Sequence, residues 1–124
     1  MGPRRQGDLF DAACPTRHLL DRVGSKWTVM VVLLLAEADE VRFSVLRRGM
    51  PGVSQKMLSQ TLRHLEHDGL VVRRVDAVAS PPAVYYALTP LGSTLVPTLA
   101  ELKRWAEEHM GEVEASSAGA AALD

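Results

Sequence analysis

The sequence predicts a mostly α-helical chain with a small β-wing (α+β): a winged helix-turn-helix with extra N- and C-terminal dimerisation helices. Two short helical segments flank the turn Met50-Pro51-Gly52-Val53. Two strand-like runs, Leu70 to Val75 and Val84 to Leu88, then flank a loop containing Pro81 and Pro82. A leucine-striped segment follows Thr89-Pro90. The 124 residues amount to one domain with a modest core. Residues 1–12 are expected to be a flexible N-terminal arm and 13–112 the winged helix-turn-helix domain with its dimerisation helices. Residues 113–124, where EASSAGAAALD loses periodicity, are expected to form a disordered tail.

Pro15 suits the first position of a helix carrying Leu19, Leu20 and Val23. Cys14 then falls at its N-cap, where unsatisfied N–H groups and the macrodipole favour a thiolate; Arg17 and His18 in the next turn would add to this. Two readings of that thiol stand. It is a sensor of oxidants or electrophiles, forming a sulfenic acid or a bridge to the partner's Cys14, or it is an inert apolar thiol at an interface. Val29 to Ala36 reads as a buried helix with Ser25 as cap, far short of the roughly 20 apolar residues that span a bilayer. No apolar stretch follows Arg4 and Arg5, so no signal peptide is expected, and Ala12-Ala13-Cys14 lacks the apolar run of a lipoprotein cleavage site. A single cysteine cannot form an internal disulfide and fits a cytoplasmic location.

Arg42 to Gly49 predicts a short helix with Ser44 as cap, Phe43 and Leu46 inward and Gly49 as stop. Ser54 fits the N-cap of the next helix and Gly69 its end. At about 100° per residue, Met57, Leu58, Thr61, Leu62 and Leu65 of that helix share an arc roughly 140° wide. Lys56, Ser59, Gln60, Arg63 and His67 occupy the opposite arc with Gln55 on its flank, and Glu66 is pushed to the edge. Gln, Arg and Ser hydrogen-bond to base edges in a major groove, and Lys neutralises phosphate. Taken alone, the pattern fits a solvated amphipathic helix as well as a DNA-reading one. The helix-turn-helix before it and the wing after it favour DNA.

Charge agrees. The chain is formally −1 overall. Between Arg42 and Asp76, however, Arg42, Arg47, Arg48, Lys56, Arg63, Arg73 and Arg74 face only Glu66, Asp68 and Asp76, an excess of four positive charges. From Glu101 onward the excess is four negative. Only the middle of the chain is suited to phosphate, and Arg73 and Arg74 at the base of the wing are placed to meet the backbone or minor groove.

Thr89-Pro90 is a helix start, a capping hydroxyl followed by proline where its missing N–H costs nothing. Leu91, Leu95, Leu99, Leu102 and Trp105 follow on one face, and Pro97 should bend the helix or split it. A winged-helix core does not require this helix. Leu19, Leu95, Leu99, Leu102 and Trp105 are therefore candidate homodimer contacts, the alternative being that the stripe covers the chain's own sheet.

No phosphate loop, nucleophile elbow or paired carboxylates occur, so no enzymatic activity and no cofactor are expected. His64 and His67 lack a third ligand and read as solvated residues, so no metal is expected. The residues imply a dimeric, sequence-specific regulator that binds double-stranded operator DNA through Ser54, Gln55, Lys56, Ser59, Gln60, Arg63, Arg42, Arg47, Arg73 and Arg74. The alternative is a winged-helix protein-interaction module without DNA binding. No membrane partner is expected; a small-molecule or oxidant effector is.

A broader pattern supports this reading. It runs through Cys14-Pro15, Gly24-Ser25-Lys26-Trp27-Thr28, Arg42-Phe43, Leu46, Val53-Ser54-Gln55-Lys56-Met57-Leu58, Leu62, Leu65-Glu66, Asp68-Gly69-Leu70-Val71 and Arg73. It continues through Pro81-Pro82, Val84, Tyr86, Leu88-Thr89, Gly92, Leu95 and Trp105. The chain thereby resembles the HxlR-type family of bacterial winged-helix transcriptional regulators over nearly all its length except the tails. The resemblance implies a homodimer on an operator with two half-sites, a recognition helix beginning at Ser54, and a dimer built by the terminal helices. It also implies a thiol switch at Cys14, because some family members use a cysteine there. The chain departs from the family at Ser25, often Gly, at Ala83, commonly an Arg in the wing, and at Tyr85, commonly acidic. The change at Ala83 removes an expected wing contact to DNA.

Overall fold

A computed structural model of the chain describes residues 9–11 and 15–123. Cys14 and most of the expected N-terminal arm lie outside the described residues. The elements are α1 (Pro15–Val23), α2 (Lys26–Leu35), β1 (Val41–Arg42), α3 (Phe43–Arg48), α4 (Gln55–His67), β2 (Val71–Asp76), β3 (Ala83–Leu88) and α5 (Pro90–Leu123). The fold is mostly helical with one small antiparallel sheet, the winged helix-turn-helix arrangement.

The turn between α3 and α4 is set locally. Val53 N–H donates to the Met50 carbonyl at 3.1 Å, closing a turn around Pro51 and Gly52, the latter at φ 88°. Proline followed by a positive-φ glycine is the type II pattern. Met50 and Val53 are buried and anchor both sides of the turn in the core. At its other end α4 closes on Gly69 at φ 76°: Leu70 N–H donates to Leu65 C=O at 2.9 Å and Gly69 N–H to Glu66 C=O at 3.1 Å. This is a Schellman closure, and Leu65 and Leu70 supply its apolar contact.

The buried side of α4, Leu58, Leu62 and Leu65, meets Val31 and Leu35 of α2, Leu46 of α3 and Tyr86 of β3 in a single core. Ser25 caps α2 as expected, its Oγ accepting from Trp27 N–H at 3.3 Å.

The sheet order is β1-β3-β2. The wing hairpin pairs Val71 with Leu88 through Asp76 with Ala83, close to the predicted runs. Two features near β1 differ from expectation. Strand β1 itself was not predicted, and α3 begins at Phe43 with Arg42 as its N-cap rather than Ser44. Both follow from one cause: Val41 and Arg42 pair with Tyr86 and Tyr85, and the extended backbone of Arg42 (φ −70°, ψ 144°) is also N-cap geometry.

Helix α5 also departs from expectation twice. It is continuous past Pro97, which is exposed and therefore keeps its ring off the packed side. It also stays helical to Leu123, where the sequence predicted a disordered tail. Alanine is the strongest helix former, and the Ala-rich end propagates a helix already nucleated upstream without needing apolar periodicity.

The first turn of α5 is seated on the end of α4. Thr89 Oγ1 donates to Gly69 C=O at 2.6 Å and accepts from Gly92 N–H at 3.0 Å, while Thr89 N–H donates to Leu70 C=O at 3.1 Å. A Cβ on Gly92 would run into the Leu70 carbonyl, a backbone atom that cannot turn aside. Gly92→Ala is therefore expected to lower stability by about 1–3 kcal/mol, the usual range for overpacking. Gly111→Ala, where a Cβ meets nothing within 4 Å, should be neutral or stabilising. Thermal unfolding of the two variants checks both.

Candidate nucleic-acid interface

Ser54 caps α4 with its Oγ accepting from Met57 N–H at 3.1 Å, so the positive end of the helix dipole lies at Ser54-Gln55. From there the polar face divides three ways. Lys56 and Arg63 are exposed at its centre. Gln55 and Ser59 lean toward the wing, where with Arg42, Ser44 and Arg73 they line a cleft of about 360 Å³ floored by Phe43, Ala83 and Tyr86. Gln60 leans the other way, onto a groove that it shares with Asp21, Arg22, Met57 and His64.

Phe43 and Tyr86 brace the floor of the wing cleft, their ring centroids 6.5 Å apart. A second groove adjoins it, and Phe43, Ser44 and Gln55 belong to both. This second groove carries Arg47 and Arg48 beside the Met50–Val53 turn. Four arginines, Arg42, Arg47, Arg48 and Arg73, thus surround the N-terminal end of α4. Arg48 and Ser44 were not among the DNA-contact candidates; Arg48 was counted only in the charge of the segment, and Ser44 was read only as a helix cap.

Arg74 requires a correction. Successive side chains on a strand point to opposite faces, so Arg73 and Arg74 cannot both enter the cleft. Arg73 lines it, whereas Arg74 donates to the two Glu40 carboxylate oxygens at 3.0 and 2.5 Å and stacks over Tyr85 at 4.5 Å. Arg74 is therefore ion-paired on the face of the wing turned away from the cleft, where its side chain stays exposed. Among the described residues the other ion pairs are Arg22–Asp68, Lys103–Glu107 and Arg104–Glu101. Arg42, Arg47, Arg48, Lys56, Arg63 and Arg73 take part in none. The excess positive charge seen in the sequence is thus carried at the surface, around α4 and the cleft. Ala83 is buried on the cleft floor, so the wing offers no side chain of its own at that position.

The family model for HxlR-like helix-turn-helix proteins matches residues 22–114. The chain belongs to this family. It is 43% identical over 109 residues to the HTH-type transcriptional regulator YtfH of Escherichia coli (strain K12), itself uncharacterised, covering 88% of this chain and 85% of that protein. A solved structure described as a transcriptional regulator, YtfH from Salmonella typhimurium, matches with TM-score 0.82 at 43% identity, covering 89% of this chain and 96% of that one. The redox regulator HypR in its oxidised form matches with TM-score 0.68 at 39% identity, covering 77% and 96%. The chain is accordingly a transcriptional regulator with a helix-turn-helix DNA-binding fold, in a family of regulators rather than enzymes. No helix among the described residues is long and apolar enough to cross a membrane.

In this HxlR-like chain the candidate dimer residues fall into two sets. Leu99 is buried within the protomer and Leu95 packs partly against its core, because the first half of α5 covers the chain's own α2 and β3. Leu99 is thus withdrawn from the exposed stripe. Leu102 (51% exposed), Trp105 (56%) and Leu19 (39%) remain uncovered, and Leu20, Met110 and Val113 join them. Leu102 also lines an apolar groove of about 560 Å³ between α2 and α5, with Val29, Met30 and Leu33.

The Arg74–Glu40 pair on the wing yields a pH prediction. Its hydrogen bond from Arg74 holds the Glu40 carboxyl below its ordinary value near 4.5. A carboxylate with a depressed folded pKa stabilises the folded arrangement above its unfolded value and loses that contribution as pH falls through the lower folded value. Acidification from neutral pH into that window should free the Arg74 guanidinium from Tyr85, which the Tyr85 ring resonances report. Glu40→Gln should give the freed signature already at neutral pH, with no further acid step.

Proposed function

We propose that this HxlR-like regulator is a homodimer that binds operator DNA sequence-specifically, inserting the exposed face of α4 into the major groove of each half-site. The observation that carries the reading is the uncompensated charge: among the described residues Arg42, Arg47, Arg48 and Arg73, none of them in an ion pair, surround the N-terminal end of α4 and its cleft of hydrogen-bonding side chains, and Lys56 and Arg63, likewise unpaired, lie exposed on its polar face. On this reading Lys56, Ser59, Gln60 and Arg63 meet base edges and nearby phosphates. Ser54, Gln55, Arg42, Arg47 and Arg73 meet the backbone beside them. Leu19, Leu102 and Trp105 supply the exposed apolar surface for the dimer, and half-site centres lie about 34–36 Å apart or at a multiple of that spacing.

Arg63→Ala and Gln60→Ala should relax sequence preference, whereas Arg47→Ala and Arg73→Ala should weaken binding to all sequences alike. With about six to ten phosphate contacts, operator affinity should fall roughly a thousandfold or more between 50 and 200 mM salt. Selection of bound sequences from random DNA, followed by salt titration, measures both. A protein-interaction module on the same fold predicts no salt-dependent DNA binding even at low ionic strength, and that result would sink the proposal.

A second layer concerns control at Cys14. HypR is described as a redox regulator with both oxidised and reduced forms known, and this chain is 39% and 37% identical to those two structures. Cys14 directly precedes α1, whose Leu19 and Leu20 are exposed. On this reading diamide accepts two electrons and two protons from a pair of thiols and leaves a disulfide between Cys14 and the partner's Cys14. Diamide should weaken operator binding by the wild type and leave Cys14→Ser unaffected; equal responses would dismiss Cys14 as the sensor.

A further inference from the structure

Helix α1 is held to the molecule in an unusual way. It buries no residue of its own, and only Val23 packs partly against the core. Arg22, near its end, ties it to two other parts of the chain. The Arg22 carbonyl accepts from Thr28 Oγ1 at 3.1 Å, and its guanidinium donates to both oxygens of Asp68 at 2.7 and 2.6 Å. The Asp68 side chain is only 9% exposed. Asp68 is the C-cap residue of α4, immediately before the Schellman glycine.

A carboxylate is electrostatically misplaced there, since the carbonyl end of a helix disfavours negative charge. It also stands within the basic segment that faces DNA. Neither the helix nor the DNA-facing charge gains from Asp68. What it does provide is a fixed acceptor pair for a planar guanidinium, a bond that restrains direction as well as distance. The N-terminal end of α4 is fixed independently, by the Met50–Val53 turn.

We infer that Arg22 and Asp68 form the tie through which α1 sets the pose of the recognition helix, making Asp68 a positioning residue for operator recognition. This rests on the proposed DNA-binding function. The tie also joins two surfaces: Leu19 and Leu20 are exposed on the helix that carries Arg22, and Gln60 shares the groove in which Arg22 lies. A shift of α1 against a second copy of the chain would therefore be passed to the end of α4 by this ion pair. Asp68 touches no base in this scheme; it acts through the helix it ends.

The test is a double-mutant cycle on the full chain with Asp68→Asn, Arg22→Gln and the double variant, read by affinity for a wild-type-selected operator and for an unrelated duplex. Each single variant should lose on the order of tenfold in operator affinity, a coupling of the size seen between groups in direct contact, and the double variant should lose no more than the worse single. Affinity for the unrelated duplex should stay within about twofold, since the phosphate-facing cations are untouched. Arg22→Lys, which keeps the charge without the fork, should recover part of the loss. Arg22 is partly exposed, so the Arg22 variants leave no buried cavity and supply the measurement even if Asp68→Asn does not fold. Wild-type-like operator affinity in the folded variants overturns the inference, as does an equal fall for both duplexes in step with thermal stability. If the wild type binds no DNA at low salt, the function and this inference fall together. If it binds and the variants match it, only this inference falls.

Discussion

The carbonyls of Gly69 and Leu70 hold three elements of this protein together. They follow a Schellman closure that ends α4, they lead directly into the first wing strand, and they accept the hydroxyl and amide of Thr89 that begin α5. Gly92 permits the close approach, because any side chain there would collide with the Leu70 carbonyl. Helix α4, the wing and the long terminal helix are therefore oriented by one small set of hydrogen bonds to backbone carbonyls. The cleft between α4 and the wing, with Gln55, Ser59, Arg42 and Arg73 on its walls, has its shape because this junction fixes the angle between helix and hairpin.

Electrostatics completes the division of the surface. Two ion pairs remove charges that would act in the wrong place: Arg22 covers Asp68 at the end of α4, and Glu40 covers Arg74 on the far face of the wing. Arg42, Arg47, Arg48, Lys56 and Arg73 remain unpaired around the N-terminal end of α4, where the helix dipole has the same sign, and Arg63 lies exposed farther along it. Tyr85 and Glu40 together do for Arg74 what an acidic residue at position 85 does not do here: one supplies a ring face, the other a carboxylate.

Much of this was legible in order along the chain. Pro51-Gly52, Ser54, Gly69 and Thr89-Pro90 are local signals whose backbone requirements do not depend on distant partners, and each marks the boundary it was expected to mark. Of the apolar arc, Leu58, Leu62 and Leu65 face the core, as helical periodicity assigns, while Met57 at its edge is exposed. Strand β1 was not legible, because two residues have no periodicity and exist as a strand only through Tyr85 and Tyr86. The helical end of α5 was missed because an apolar stripe was sought where alanine propensity was the operative term.

Sequence alone determined the fold class, the polar face of α4 and the confinement of positive charge to the middle of the chain, since composition and short-range spacing specify these. Tertiary structure decided which members of that set are available. Strand alternation turned Arg73 into the cleft and Arg74 onto Glu40. The packing of α5 on α2 and β3 buried Leu99 while leaving Leu102 and Trp105 exposed. The pairing of Arg22 with Asp68 spans 46 residues of chain, and no local pattern encodes a bond whose two ends meet only after the helices have packed.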